Sequence, residues 1–406
     1  MMWMFYYIGV GLYGIAARIF ALFSGKARLW VQGRRKLLTN LAANIPQNRQ
    51  VIWMHCASLG EFEMGRPVLE TIRKQYPDKF ILLTFFSPSG YEVRKNYPGA
   101  DLVSYLPLDL PQYNRRFLDV VKPSLALFVK YEFWFGFMHG LYRRNVPLVL
   151  ISGRFRKDQL FFRWYGNWFF RKLSYFDSLH VQDIESANLV GKEFASRVIV
   201  SGDTRFDRVM ANAALKKELP EINAWLAGRP CMVAGSTWPI DDPLMLPWED
   251  QEMALIIAPH EVDPHRIQTL KQLAGEDAVL YSELPQSHGR ILIVDNVGML
   301  LSIYALAKLA YVGGGFGSGL HNILEPAAFG LPVLFGPEHK KFPEAAALEK
   351  TGAAQTIFNR KTFDVAKSYY TDSRIQQKAA TAAKQFVASH AGASEKIMQT
   401  IHELLK

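Results

Sequence analysis

Two glutamates stand where an apolar strand gives way to a polar turn. Glu61 closes the run Val51-Ile-Trp-Met-His-Cys-Ala-Ser-Leu-Gly-Glu, which reads as strand, turn and helix start. Glu132 follows the strand Pro123 to Val129 within Lys130-Tyr-Glu-Phe-Trp. A carboxylate so placed can take the proton of an attacking hydroxyl. At a helix start it can equally do no more than complement the helix dipole, and the residues alone leave both readings of Glu61 open. Two carboxylates brought together push one pKa upward, so Glu132 is a candidate to tune Glu61 or to orient a substrate.

A second constellation lies in residues 309–337. Leu309-Ala-Tyr-Val is a buried strand, and Gly313, Gly314, Gly315, Gly317 and Gly319 make a loop that lets a ligand approach the backbone. The spacing predicts a short helix over 321–329, ended by Gly330, then a strand to Phe335. Asn322 and Glu325 share one face of that helix, where a carboxylate can accept ribose hydroxyls while backbone N–H groups meet a phosphate. A plain strand–helix turn with glycines for packing is the competing reading. No G-x-G-x-x-G or Walker frame fits the loop. Phe316, not Gly, stands two residues before Ser318, so no nucleophile elbow is present. His260-Glu-Val-Asp-Pro-His265 spaces its histidines by five with a proline between them, so no catalytic metal is expected. Cys56 and Cys231 sit in apolar strands and read as buried thiols.

The elements that must hold these residues alternate strand and helix, the pattern of a parallel, doubly wound sheet. In the first half, strands are predicted at 51–57, 80–86, 102–106, 123–129 and 146–152. The polar, helical stretch 208–229 reads as a linker. The pattern then restarts with strands at 231–234, 254–258, 291–294 and 310–312, each followed by a polar or glycine turn. The chain from Lys340 onwards reads as helical. Ligands on such sheets sit at the carboxyl ends of strands.

With 406 residues the chain is long enough for two cores. Forty-seven basic against 37 acidic residues give a net charge of +10, which suits an anionic partner. Residues 1–23 carry one charge, Arg18, and basic residues follow, the reverse of a secretory signal. They read as a membrane anchor with the rest of the chain in the cytoplasm, against the alternative of a helix packed on the protein. Residues 154–176 interleave aromatics with arginines, as a basic amphipathic segment on an anionic membrane does; a half-buried helix and a base-stacking surface are the alternatives.

Taken in order, His55-Cys-Ala-Ser-Leu-Gly-Glu61, Tyr131-Glu-Phe-Trp134, Ser201-Gly-Asp-Thr-Arg-Phe-Asp207, Gly235-Ser-Thr237 and His321-Asn-Ile-Leu-Glu-Pro resemble the motifs of the Kdo transferases. These glycosyltransferases move 3-deoxy-D-manno-octulosonic acid (Kdo) from CMP-Kdo onto a lipid A precursor, lipid IVA. The resemblance implies an α/β GT-B architecture: two Rossmann-like, doubly wound parallel-sheet domains facing across a cleft, with an N-terminal anchor helix. It implies an anchor over 1–25, an acceptor domain over 26–207, a linker over 208–229 and a CMP-sugar domain over 230–406. Carried over by motif, Glu61 is the base and Glu132 the second functional glutamate. CMP contacts fall on Pro259 and His260, on Val297, Gly298 and Met299, and on Asn322, Ile323, Leu324 and Glu325.

The implied chemistry is inverting single displacement without cofactor or metal. The implied partners are CMP-Kdo, the lipid A precursor and the cytoplasmic face of the inner membrane, with no nucleic acid. The chain departs from the family at His260 (often Arg), Lys130 and Phe135 (more usually Glu and Pro), Trp238 (often His) and Gly315 (often Ser). Another GT-B sugar-nucleotide enzyme, with a different donor or as a soluble epimerase, is the alternative, and a nucleic-acid binder a more distant one.

Overall fold

The computed structural model describes residues 1–284, 288–317 and 319–406. Ser318, tested above as a nucleophile, lies outside them. The chain divides into two compact units, Met1–Asp207 with Gly392–Lys406, and Arg208–Ala391.

In the first unit, β1 (Val51–Cys56), β2 (Phe80–Phe85), β3 (Leu102–Tyr105), β4 (Pro123–Val129), β5 (Leu148–Gly153), β6 (Ser178–Val181) and β7 (Val198–Val200) form one sheet in the order β3-β2-β1-β4-β5-β6-β7. Every pairing is parallel. β1 and β2 are buried along their whole length, as a sheet covered on both faces requires. The order reverses between β1 and β4, and both candidate glutamates follow those two strands. A crevice opens at such a reversal because the flanking crossovers leave in opposite directions.

The second unit repeats the architecture. β8 (Cys231–Thr237), β9 (Ala254–Pro259), β10 (Ala278–Leu280), β11 (Ile291–Ile293), β12 (Leu309–Val312), β13 (Val333–Phe335) and β14 (Ala354–Thr356) run in the order β10-β11-β9-β8-β12-β13-β14. Here the reversal falls between β8 and β12, and the glycine loop follows β12. β14 corrects the expectation of uninterrupted helix after Lys340.

Both expected domain limits shift. The stretch 208–229 is no free linker: Ile222, Trp225 and Leu226 are buried in the second unit's core. The end of the expected 230–406 domain belongs to the first unit. Helix Ala393–Leu404 buries Ile397, Met398 and Ile401 in the same core as Val68 and Ile72. Asp207 fixes its start by accepting from the N–H groups of Gly392 and Ser394.

The first helix, α1 (Met2–Phe20), is long and apolar enough to cross a membrane. One face is nevertheless seated on the first unit. Tyr6 donates to the buried Asp109 at 2.6 Å, Trp3 meets Trp168 edge-on, and Gly14 is buried against Leu108. Positions 3, 6, 7, 10 and 14 thus face protein, at the helical repeat. Phe5, Ile8, Leu12, Ile15, Ile19 and Phe20 are exposed on the other side. Phe135 stands in the aromatic cluster that seats α1, 5.4 Å from Tyr6, which accounts for an apolar ring where the family more often has proline.

Residues 154–176 form no single amphipathic helix. They break into short turns at Leu160–Phe162, Asn167–Phe170 and Arg171–Tyr175. Phe155, Phe161, Leu173 and Phe176 are buried in the core, while Trp164 remains 93% exposed.

Candidate active site

β1 ends at Cys56, and α4 (Leu59–Gln75) begins three residues later with Glu61 in its first turn. Ser58 is the cap residue, but its hydroxyl donates to the Glu61 carboxylate and accepts from no helix amide. Glu61 is therefore oriented, and it is only half-buried, so a substrate hydroxyl can reach it.

Glu132 is buried and held on one oxygen. Its Oε2 accepts from Trp134 Nε1–H at 2.6 Å and from His55 Nε2 at 2.9 Å. The other ring nitrogen of His55, Nδ1, lies 2.9 Å from Thr84 Oγ1 and 3.1 Å from Thr84 O. Trp53 Nε1–H donates to Thr84 Oγ1 at 2.8 Å. Both ring nitrogens of His55 are thus engaged, Nε2 with Glu132 and Nδ1 with Thr84. Low surrounding dielectric strengthens such a network and makes any missing member costly. Burial first, then the charges of Glu61, Glu132 and Glu63, hold the Cys56 thiol well above its ordinary pKa. Cys56 stays protonated and is no nucleophile.

In the second unit the expected nucleotide contacts gather along the carboxyl edge of the sheet. Pro259 ends β9, and the next residue, His260, donates its N–H to Thr237 O at the end of β8. Val297 and Gly298 are exposed in the bend after β11, and Met299, half-buried, caps the helix that follows. Asn322 follows the glycine loop, and its amide donates to Glu325 at 3.1 Å. The helix predicted over 321–329 is shorter, Leu324–Ala328, with Ile323 as its cap. His321 and Asn322 belong to the turn because His321 N–H is taken by Gly313 O, closing the loop. Gly315 is required where the family often has serine: a Cβ there would lie 2.6 Å from Gly336 N.

Trp238, His260 and His321 form one stack, and two of the three are departures from the family pattern. Ring centroids are 4.6 Å apart for Trp238 and His260, and 4.4 Å for His260 and His321. Trp238 Nε1–H donates to His321 Nε2 at 3.0 Å, which needs an unprotonated nitrogen. Burial, with the charge of His260 adding, pushes His321 down to about 4. The unfolded chain, with histidine near 6.5, therefore takes up this proton first as pH falls. The contribution of His321 to stability is complete above about 6.5 and is lost towards 4. His321→Gln is expected to lose less of its thermal midpoint between pH 6.5 and 4.5 than the parent protein does. Equal losses would show that the ring is not held neutral.

Asp241 was not singled out from the sequence. It is fully buried beside the β8–β12 reversal and accepts from Tyr311 O–H at 2.7 Å, Trp238 N–H at 2.8 Å and Gly314 N–H at 3.3 Å. One carboxylate thus ties the glycine loop to the ring stack. His55, Thr84 and Trp134 were likewise missed as a unit. The available signal was polarity: a histidine inside a fully buried strand needs a partner.

The comparisons bear on this geometry. The family described as "3-Deoxy-D-manno-octulosonic-acid transferase (kdotransferase)" matches residues 31–208. The chain is 28% identical over 320 residues to a 3-deoxy-D-manno-octulosonic acid transferase of Haemophilus influenzae, covering 73% of this chain and 72% of the relative. It is 29% identical to that of Aquifex aeolicus (76% and 82% covered) and 26% identical to that of Bordetella pertussis (87% of each). Among solved structures, a UDP-GlcNAc 2-epimerase of Neisseria meningitidis bound to UDP-GlcNAc superposes with a TM-score of 0.61 at 14% identity, over 87% of this chain and all of that one. MurG of Acinetobacter baumannii superposes at 0.56 and 11%, over 87% and 99%. At these identities the structures speak for the GT-B fold alone. Sequence relatives, family match and motif-bearing residues agree: the chain is similar to the Kdo transferases, a family of glycosyltransferases, over most of its length.

Proposed function

We propose that the protein transfers Kdo from CMP-Kdo to a hydroxyl of a lipid A precursor of the lipid IVA type, with inversion and without a metal, at the cytoplasmic face of the inner membrane. The observation that carries this reading is the pair of carboxylates at the β1–β4 reversal, one oriented and reachable, the other buried and aimed. Glu61 takes the proton of the acceptor hydroxyl as that oxygen forms its bond to the anomeric carbon. The bond from that carbon to the CMP phosphate breaks, and CMP leaves with both electrons. Charge spreads over the sugar ring as in glycoside hydrolysis, and the Glu132 carboxylate favours that positive charge. The residues at the β9, β11 and β12 ends hold the nucleotide, with backbone N–H groups meeting its phosphate. The exposed apolar face of α1 supports a helix lying in the interface, since its other face is engaged by protein.

The test is transfer from CMP-Kdo to lipid IVA in EDTA, with products resolved by mass and anomeric configuration by NMR. The expected result is metal-free, inverting transfer, with calorimetric binding of CMP tighter than of UMP or UDP. A UDP preference or epimerisation of a sugar nucleotide would overturn the reading.

A further inference from the structure

Arg34 is a half-buried cation that has no counter-ion among the described residues. It follows α2 (Gly25–Gln32) and precedes α3 (Leu37–Asn44). Its guanidinium lies 3.8 Å over the Trp30 ring and about 5 Å from those of Phe86 and Tyr105. Nη1 donates to Trp30 O at 3.0 Å and Nη2 to Phe86 O at 2.8 Å. Nε is buried and has no acceptor among the described residues. Burial pulls its pKa down to about 9; the groups opposing that fall are Tyr105 and Tyr13, not a carboxylate. The side chain therefore remains charged at neutral pH, and a charge drawn out of water without a partner is costly.

A cavity of about 220 Å³ beside it explains the arrangement. Arg18, Arg34 and Lys36 line it, with Tyr113 and Thr39. Among the described residues none of the three cations pairs with an acid. The first-turn residues of α3, Leu37 to Thr39, line the same space, and its cap, Lys36, supplies no side-chain hydrogen bond. Uncapped amides, two flexible cations and one fixed guanidinium are the chemistry of an oxyanion site.

Trp30 also walls a second, largely apolar cavity of about 490 Å³. Tyr13, Ala16, Ala17 and Phe20 form one helical stripe of α1 along it, with Phe86 and Pro88 opposite and Lys26 among its lining. The stripe is continuous with the exposed apolar face of α1. The Phe86 ring lies tilted with its centroid 4.6 Å from that of Trp134, whose indole holds Glu132. A chain lying in this groove borders the carboxylate network through that pair of rings.

We propose that the two cavities form one site for a phosphorylated acyl lipid, the phosphate in the chamber of Arg18, Arg34 and Lys36 and one acyl chain in the groove beyond Trp30. The proposal rests on the acceptor reading above in taking that lipid to be the substrate, and it locates the acceptor's phosphate.

Two measurements on the full chain test it. The first needs no catalysis: thermal midpoints with dodecyl phosphate, dodecyl maltoside or inorganic phosphate at equal concentration. Dodecyl phosphate is expected to raise the midpoint by about 2–4 °C, and Lys36→Gln, Arg34→Lys and Ala17→Phe to reduce that rise. Lys36 and Ala17 are not buried, so these two variants test the site even where Arg34→Lys fails to fold. An equal rise with dodecyl maltoside or inorganic phosphate would overturn the assignment. The second is the KM for a lipid A precursor with and without its phosphates. The phosphorylated acceptor is expected to bind about tenfold better, with the difference shrinking in Lys36→Gln while kcat and the donor KM stay. Undiminished discrimination in that variant would also defeat it. A protein that transfers nothing to either acceptor, yet selects dodecyl phosphate, refutes the acceptor reading and keeps the site.

Discussion

Glu61→Gln is expected to lower kcat for Kdo transfer by about 10²–10⁴-fold, the usual contribution of a positioned general base. Both KM values should stay within a small factor, because the amide keeps the shape of the carboxylate and the Ser58 hydroxyl can still bond to its carbonyl oxygen. The competing role predicts something different. A carboxylate that only complements the dipole of α4 is worth about 0.3–1 kcal/mol, so its loss would shift stability slightly and leave turnover intact. Measuring kcat and thermal midpoint on one preparation separates the two. Near-normal transfer by a stable Glu61→Gln protein would remove Glu61 as the base. Glu132→Gln is expected to lower kcat as well, and the double substitution to cost less than the product of the single effects, since the two carboxylates serve one transition state. Full additivity would place Glu132 outside the reaction.

How far the chain's sequence discloses this site depends on the range of the interaction involved. Glu61 and Glu132 were legible because strand, turn and carboxylate follow one another directly, and that order alone fixes a position at the sheet's carboxyl edge. Their supports were not. His55 sits in an unbroken apolar run, and its partner Glu132 is 77 residues away, a distance at which local pattern carries no information. The long central strands were found from continuous apolar runs. The short outer strands β6, β7, β10 and β14 were missed: three or four residues with polar neighbours give no periodicity to count. The aromatics of 154–176 have helical spacing, yet the core takes Phe155, Phe161 and Phe176 one by one, and tertiary packing overrides the periodicity. His321 read as helix because nothing nearby reveals that Trp238, 83 residues earlier, holds its ring.

The last helix shows the same limit at domain scale. Its apolar positions were plain, but the carboxylate that fixes its start, Asp207, lies 185 residues back. Chain order therefore placed it with the second unit. The departures from the family pattern become intelligible in the same way. Trp238 and His260 look like independent changes in the sequence and are one stack in space, while Gly315 answers to Gly336 across the loop.

Asp241→Ala is expected to be the most damaging single change in the second unit. Removing the carboxylate strands a tyrosine hydroxyl and two backbone N–H groups away from water, each costing about 1–3 kcal/mol. A loss of about 3 kcal/mol or more lowers the midpoint of a unit this size by roughly 6–12 °C. Asp241→Asn should fall between this variant and the parent, since its one carbonyl oxygen serves one side while its NH₂ faces a donor on the other. Tyr311→Phe should cost least. Burial, and then the charge of Asp241, keep the Tyr311 hydroxyl protonated far above neutrality, so it is one donor among three and its removal leaves the carboxylate two partners. The order Ala, Asn, Phe in falling damage is thus a signature of a shared acceptor and not of lost volume. CMP binding should weaken in the same order, because Asp241 anchors both the Gly314 amide and the Trp238 backbone on which the His321 contact depends. A midpoint unchanged in Asp241→Ala, or Tyr311→Phe as damaging as Asp241→Ala, would show that the loop and the stack are held by something other than this carboxylate.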